Sequence, residues 1–461
     1  MTACTRIVVC LLAAVCSLGT SLTASAQEHP AREPFVCAAG GRLTLGGKPY
    51  CFVGANAWYL PLLATDSVGD GIVRLRHELD VLHRMGIDNL RVLVGADGMP
   101  AARKVAPVMQ TAPGGYDQRM LTALDRFLVE AGERGMKVVL YLTNAWAWSG
   151  GMTAYLRWVQ QTGTEVMDTI VWRAWCEHAS QFATSMEARQ LYYNHVRAIV
   201  GRRNSLTGEL YANDATIMAW QICNEPRAFS ARTKEAFAQW IAESAALIKS
   251  LDSRHLVSTG SEGSMGCELD MQLYEQLHAD PNVDYLTVHV WPMNWGWVQR
   301  GSIASRSQSG LRRQQLDAAI GATRTYVAEH EAVARRLHKP LVVEEFGYPR
   351  DGGLFDIGTT TTARDAYYSA VFSLLTESVA HGGPLAGCNF WGWSGAARPN
   401  HLWWQPYDPY LADPAQEEQG LYGVWDSDTT VGTVRRAVRR LQRILRSAGR
   451  ERTVMAARHR R

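Results

Sequence analysis

Several signatures that would define a function at once are missing from this chain. It contains neither CxxC nor HExxH, so it offers no recognisable structural zinc site. No Gly/Ser-rich or Pro-rich linker divides it, and no segment after the first 26 residues approaches the roughly 20 apolar residues a membrane span needs. Net charge is nearly absent: 47 Lys+Arg stand against 44 Asp+Glu, a sum of +3. With 47% apolar and 20% charged content, a wholly disordered or collagen-like chain is excluded. The length of 461 residues admits two or three average domains or one large barrel.

The near-zero charge hides an uneven distribution. Residues 434–461 carry eleven Arg against one acid, Glu451, so the rest of the chain is net acidic. There Val434, Val438, Leu441 and Leu445 recur at helical spacing, and Arg435, Arg436, Arg439, Arg440 and Arg443 fill the other faces. That pattern predicts a last helix with a solvated basic surface, followed by a frayed, disordered basic tail over 449–461. The tail lacks the aromatics that single-stranded nucleic acid would stack on, so no nucleic-acid partner is expected.

At the other end, Arg6, an apolar run over 7–18 and Ala24-Ser25-Ala26 read as a secretory signal peptide, residues 1–26, cut before Gln27. Export to the periplasm or the medium is expected, with an uncleaved anchor as the alternative. Three of the nine cysteines leave with that leader. The remaining six, Cys37, Cys51, Cys176, Cys223, Cys267 and Cys388, are too sparse for a disulfide scaffold. Cys37 and Cys51 flank a predicted hairpin over 35–52 and are placed to pair; burial as small free thiols is the other reading.

Short apolar runs alternate with amphipathic helical stretches along the chain. The strand candidates are 50–54, 89–94, 137–142, 217–223, 256–259, 285–290, 340–345 and 388–391, with helical patterns such as 72–85, 121–134, 234–249 and 363–379 between them. Eight βα units in a row predict one (β/α)8 barrel over residues 27–448, with long loops at the carboxyl ends of the strands. The doubly wound alternative would want a Gly-rich phosphate turn after the first strand. That turn reads Gly54-Ala55-Asn56-Ala57-Trp58, without GxGxxG.

In such a barrel chemistry sits at the strand tips. The fourth candidate ends Asn224-Glu225-Pro226-Arg227 and the seventh ends Glu344-Glu345-Phe346-Gly347. A lone strand-end Glu is more often a cap or an ion-pair partner. Two of them in a mouth bordered by tryptophans are costly to bury unless they are paired or working. Most of the sixteen Trp follow strand ends, among them Trp58, Trp146, Trp291 and Trp391. Flat aromatic faces suit the C–H faces of pyranose sugars, although packing of long loops would also use them.

These motifs, with Asn89-Leu90-Arg91-Val92, Asn144-Ala145-Trp146, Gly150-Gly151 and His289-Val290-Trp291-Pro292, resemble the retaining glycoside hydrolases of family 5, and more closely their endo-β-1,4-mannanase branch. The likeness runs from about Phe35 to the last helix. The resemblance implies a (β/α)8 fold, Glu225 as general acid/base and Glu345 as nucleophile. It also implies that Arg91, Asn224, Trp58, Trp146, Arg227, His289, Trp291 and Trp391 contact substrate or the carboxylates. Many relatives carry Tyr two residues after the histidine; Trp291 stands there and supplies no phenol. Strand alternation places Glu345 with Val343 and leaves Glu344 as an outward or supporting group. The resemblance further implies a β-mannan substrate, no metal and no cofactor, and a monomer is expected. The alternatives are another retaining β-glycanase, an exo-acting β-mannosidase, or a carbohydrate-binding protein on a decayed barrel.

Overall fold

A computed structural model describes residues 34–65, 70–163, 171–299 and 309–459. The expected leader, 1–26, lies outside them. The eight predicted runs form strands β1 (Phe52–Asn56), β2 (Asn89–Leu93), β3 (Lys137–Tyr141), β4 (Ile217–Gln221), β5 (Leu256–Ser258), β6 (Leu286–Val290), β7 (Leu341–Phe346) and β8 (Leu385–Phe390). They pair in parallel in the order 5-4-3-2-1-8-7-6. At the remaining seam the Asp284 amide donates to Val257 O (2.8 Å) and the His289 amide to Glu262 O (3.2 Å), so β5 and β6 meet. Every residue of the eight strands is buried. That is why they read as near-continuous apolar runs rather than alternating ones.

Two boundaries differ from the sequence reading. The first strand starts at Phe52 and runs through Gly54-Ala55-Asn56, which had the look of a turn. The eighth begins three residues earlier than expected, at Leu385, because Gly387 masks its strand character. A Cβ at Gly387 would lie 2.4 Å from the Phe52 ring, so glycine makes room there for a phenyl that fills the barrel.

Before the barrel, three short antiparallel strands (Val36–Ala39, Arg42–Leu45, Lys48–Pro49) close its N-terminal end. Val36, Leu43 and Tyr50 pack there with Phe52, Val139, Met218, Leu256, Tyr285 and Val342. The register sets Cys37 opposite Thr44, and Cys51 lies beyond the third strand where the chain turns into the barrel. The Cys37–Cys51 pairing is therefore not made, and both thiols are free.

Around the sheet lie helices Gly71–Met85, Gln118–Gly132, Lys234–Leu251 and Thr362–Ala380, close to their predicted spans. An insertion between β3 and β4 adds Gly151–Gln160, Trp172–Ala179 and Met186–Val200. The last helix, Thr429–His459, buries Val434, Ala437, Val438 and Leu441 and exposes the five arginines from Arg435 to Arg443. It continues past Gly449 to His459, through most of the stretch expected as a basic, disordered tail. Arg, Ala, Met and Glu are strong helix formers, and together they outweigh one glycine. Among the described residues no helix is long and apolar enough to cross a membrane.

Candidate active site

Along each strand, inward positions recur every second residue, and at the carboxyl end they turn polar. On β1 Phe52 gives way to Asn56, Tyr285 just before β6 gives way to His289, and on β7 Val342 gives way to Glu344. Arg91, on β2, is the hub. Its Nε and Nη2 donate to Gln221 Oε1 (2.9 and 2.6 Å), Nη2 also to Asn224 Oδ1 (2.7 Å), and Nη1 to Asn56 Oδ1 (3.1 Å) and Glu345 Oε1 (2.5 Å). Its guanidinium lies 4.7 Å from the centre of the Tyr141 ring. A buried arginine is tolerated only when its donors are met, and here each nitrogen has an acceptor.

Glu344 and Glu345 both point inward, which corrects the simple alternation. Val343 belongs to the apolar layer shared with the helices, whereas Val342 fills the barrel. A register shift between β6 and β7 pairs His289 with Glu345 and skips Glu344. That irregularity swings Glu345 into the mouth. Glu344 sits deeper, accepting from Gln221 Nε2 (2.5 Å) and Tyr285 Oη (3.1 Å), with Arg91 Nε at 3.6 Å.

Glu225 follows β4 with a left-handed backbone (φ 49°), held by its amide on Gly260 O (3.0 Å). Such a conformation costs a non-glycine residue of order 1–3 kcal/mol and recurs at functional sites. His289 Nδ1 stands 2.8 Å from Glu225 Oε1 and 3.3 Å from Glu345 Oε2. Trp146 Nε1 donates to Glu225 Oε2, and Trp291 Nε1 donates to Glu345 Oε2 (3.2 Å). Trp291 supplies no phenol, but its indole N–H takes the place of that hydroxyl on Glu345. Gly347 is what lets it lie there, since a Cβ would come 2.4 Å from the Trp291 ring.

The electrostatics separate these groups. Burial pushes the Glu345 carboxyl up, but His289 and Arg91 outweigh it and hold the group below its ordinary range. Burial disfavours the His289 cation, yet Glu345 with Glu225 and Glu344 raises it well above the ordinary histidine value, so it is charged at neutral pH. One oxygen each of Glu225 and Glu345 and a ring nitrogen of His289 lie within 4.8 Å of one another. A metal ion could use that spacing; Arg91 and the His289 cation already place positive charge beside Glu345.

These groups open into a cavity of about 480 Å³. Its walls include Trp146, Asn224, Glu225, Arg227, Trp291, Glu345 and Trp391, all singled out in the sequence. Arg91 and His289 are fully buried behind the carboxylates and reach a ligand only through them. Trp58 is elsewhere: it is 3% exposed, donates from Nε1 to Ala412 O (2.8 Å) and packs edge-on against Trp148. A strand-end tryptophan is as often a loop anchor as a sugar platform, and the loop over 399–428 needs that anchor.

Sequence reasoning missed Glu262, beyond β5. Its carboxylate accepts both Arg227 Nε (2.5 Å) and Nη2 (2.7 Å) and lines the same cavity. The short run 256–259 carried no motif, but an acid four residues past the end of a barrel strand was a usable signal. The loop over 399–428 supplies Pro414, Gln416 and Glu417 to the wall. It is tied down by Asp413, which accepts the amides of Gly420 (2.9 Å) and Tyr422 (2.9 Å). Glu417 is partly buried there; that enclosure, with Asp413 and the two mouth glutamates adding to it, pushes its carboxyl up to about 8.

Two carboxylates at the tips of β4 and β7 of a (β/α)8 barrel, inside an aromatic cleft, define a glycoside hydrolase. The sequence profile of the GH family 5 beta-mannosidase-like proteins matches residues 33–446, and the chain belongs to glycoside hydrolase family 5. It is 31% identical over 370 residues to mannan endo-1,4-beta-mannosidase 1 of Oryza sativa subsp. japonica, covering 77% of this chain and 78% of that protein. Mannan endo-1,4-beta-mannosidase 3 of Arabidopsis thaliana is 30% identical over 371 residues, 77% and 81% of the two chains. Among solved structures, the family 5 mannosidase of Rhizomucor miehei superposes with a TM-score of 0.81 at 30% identity, over 90% of this chain and all of that one.

Proposed function

We propose that this glycoside hydrolase is a secreted, retaining endo-β-1,4-mannanase that cleaves internal β-mannosidic bonds of mannan, glucomannan or galactomannan. The observation that carries the mechanism is the closeness of the Glu225 and Glu345 oxygens, within 4.8 Å. A retaining pair stands about 5–5.5 Å apart, whereas an inverting pair leaves about 6.5–9.5 Å for a water. Glu345, kept ionised by His289 and Arg91, attacks the anomeric carbon. The bond to the leaving oxygen breaks as Glu225 gives that oxygen its proton. Water then opens the glycosyl ester on Glu345 and returns a proton to Glu225.

The other residues take roles that follow from their contacts. Arg91 occupies Asn224 Oδ1 and Asn144 accepts one hydrogen of its Nδ2 (3.1 Å), so Asn224 meets a sugar hydroxyl through the other hydrogen of Nδ2. Trp391 offers a flat apolar face to the reacting sugar, and the Arg227–Glu262 pair offers polar contacts on the leaving-group side. His289 and Arg91 are positioning residues that act through the carboxylates. The mannan substrate rests on the named activities of the plant relatives.

Chromatography of mannohexaose digests tests this reading. Mannobiose to mannotetraose as early products support it. Stepwise release of mannose alone would replace it with the exo-acting β-mannosidase reading, which the name of the Rhizomucor neighbour favours. Preferential cleavage of cellohexaose would move the substrate to another β-glycan, and binding without cleavage would leave a carbohydrate-binding protein.

A further inference from the structure

Beside the main cavity lies a second hollow of about 380 Å³, within the size range of ligand pockets. Trp146, Trp172, Gln416 and Glu417 border both, forming a neck between them. Beyond the neck the walls are Trp175, Ala147 and Arg103. One side is a stack of three indoles. Trp146 and Trp175 lie 5.6 Å apart at 15°, Trp146 and Trp172 5.9 Å apart at 26°, and Trp172 and Trp175 5.5 Å apart at 21°. Phe229 braces the stack edge-on, 5.0 Å from Trp175. Trp172, at the start of the helix Trp172–Ala179, remains 56% exposed. A rigid tryptophan held open to solvent beside a cavity gives up burial that its neighbours Trp146 and Trp175 obtain, which is the mark of a surface shaped for a partner.

The opposite wall is polar: Gln416 and Glu417 come from the loop over 399–428, and Arg103 stacks 4.0 Å over Trp403. A flat aromatic face across from amide, carboxyl and guanidinium groups suits a molecule with an apolar C–H face and a rim of hydroxyls. A neutral pyranose has that form. A purely apolar ligand would cover the Gln416 amide and the Glu417 carboxyl without hydrogen-bonding either.

We propose that this hollow is a remote sugar-binding station, in which the Trp172 face, with Gln416, Glu417 and Arg103, holds a neutral hexopyranose of the same β-linked chain whose bond is cut at Glu225 and Glu345. The inference rests on the mannanase reading above and names where a long chain is gripped. It also couples grip to chemistry, because Trp146 belongs to the stack and donates to Glu225.

The test compares kcat/KM for mannohexaose and for an aryl β-mannoside in the wild type, Trp172→Ala and Arg103→Ala. The expected result is a loss on mannohexaose that exceeds the loss on the aryl mannoside by about three- to tenfold in Trp172→Ala. The loss recovers in Trp172→Tyr, and the melting temperature is unchanged, since Trp172 is mostly exposed. Equal losses on both substrates, or no loss on either, would overturn the station while leaving the mannanase reading intact. Failure of the wild type to cut mannohexaose would instead overturn the functional reading itself.

Discussion

At its lower end the barrel is packed with Phe52, Val139, Met218, Leu256, Tyr285 and Val342 under a lid of Val36, Leu43 and Tyr50. At its upper end, on the same strands, stand Asn56, Arg91, Gln221, His289, Glu344 and Glu345, all buried as well. The lower set is held by contact, although Tyr285 also donates to Glu344 (3.1 Å), and removing one apolar member leaves a void. The upper set is stable only as a whole, because each buried charge is met by another. The two ends are thus one or two strand positions apart in sequence and differ in kind. Mutations below are expected to change how much enzyme is folded, and mutations above what the folded enzyme does.

The largest effect belongs to the upper end. Glu345→Gln replaces the proposed nucleophilic carboxylate with a neutral amide and is expected to lower kcat by on the order of 10⁴-fold or more, and Glu225→Gln by about 10²–10⁴-fold. Steady-state rates on soluble β-mannan check both, with a cooperative thermal melt showing that each variant is folded. A wild-type rate in either would end the assignment of roles.

The lower end gives the opposite signature. Phe52→Ala is expected to cost about 3–5 kcal/mol of stability, read by denaturant unfolding, with kcat per folded molecule nearly unchanged. A large fall in kcat would show that the two ends are coupled more tightly than their contacts suggest.

A titration sharpens the upper end further. In the proposed mechanism Glu345 must be ionised to attack, so activity is expected to fall as the pH drops through its pKa. His289→Gln removes a cation that holds that pKa below its ordinary 4.5, so the acid limb of kcat/KM is expected to move to higher pH. The same pairing sets a stability window. The Glu345 contribution is complete above 4.5 and is lost as the pH falls through its lowered folded value. The His289 contribution is complete below its ordinary 6.5 and is lost as the pH rises through its raised folded value. An acid limb unmoved in His289→Gln would mean that Arg91 alone controls Glu345.

The smallest effect is expected at the lid. Cys37 is exposed and free, so Cys37→Ser or added reductant should leave the melting transition within about 0.5 kcal/mol of wild type. A larger loss would mean that the thiol is engaged after all.

How far the sequence could be read follows the same division. The strands were legible because burial on both faces makes them continuous apolar runs, and Glu225 and Arg91 because their local motifs are specific. For Glu344 the sequence left an outward and a supporting reading open, because a register shift between β6 and β7 is a property of two strands together and leaves no trace in either alone. Trp58 and Trp146 look alike in sequence; only the loop over 399–428, folded back from far along the chain, makes one an anchor and leaves the other in the cleft. Glu262 was overlooked because its meaning depends on Arg227, 35 residues away. The last helix outran its expected end because a single glycine was given more weight than the helix formers around it.

The account turns on Glu225 and Glu345 working as a close, retaining pair, and proton NMR of mannohexaose hydrolysis in its first minutes tests that most directly. The account predicts the β-anomer as the first-formed reducing end, with the α-anomer appearing only by mutarotation; an α-anomer present from the start would contradict it.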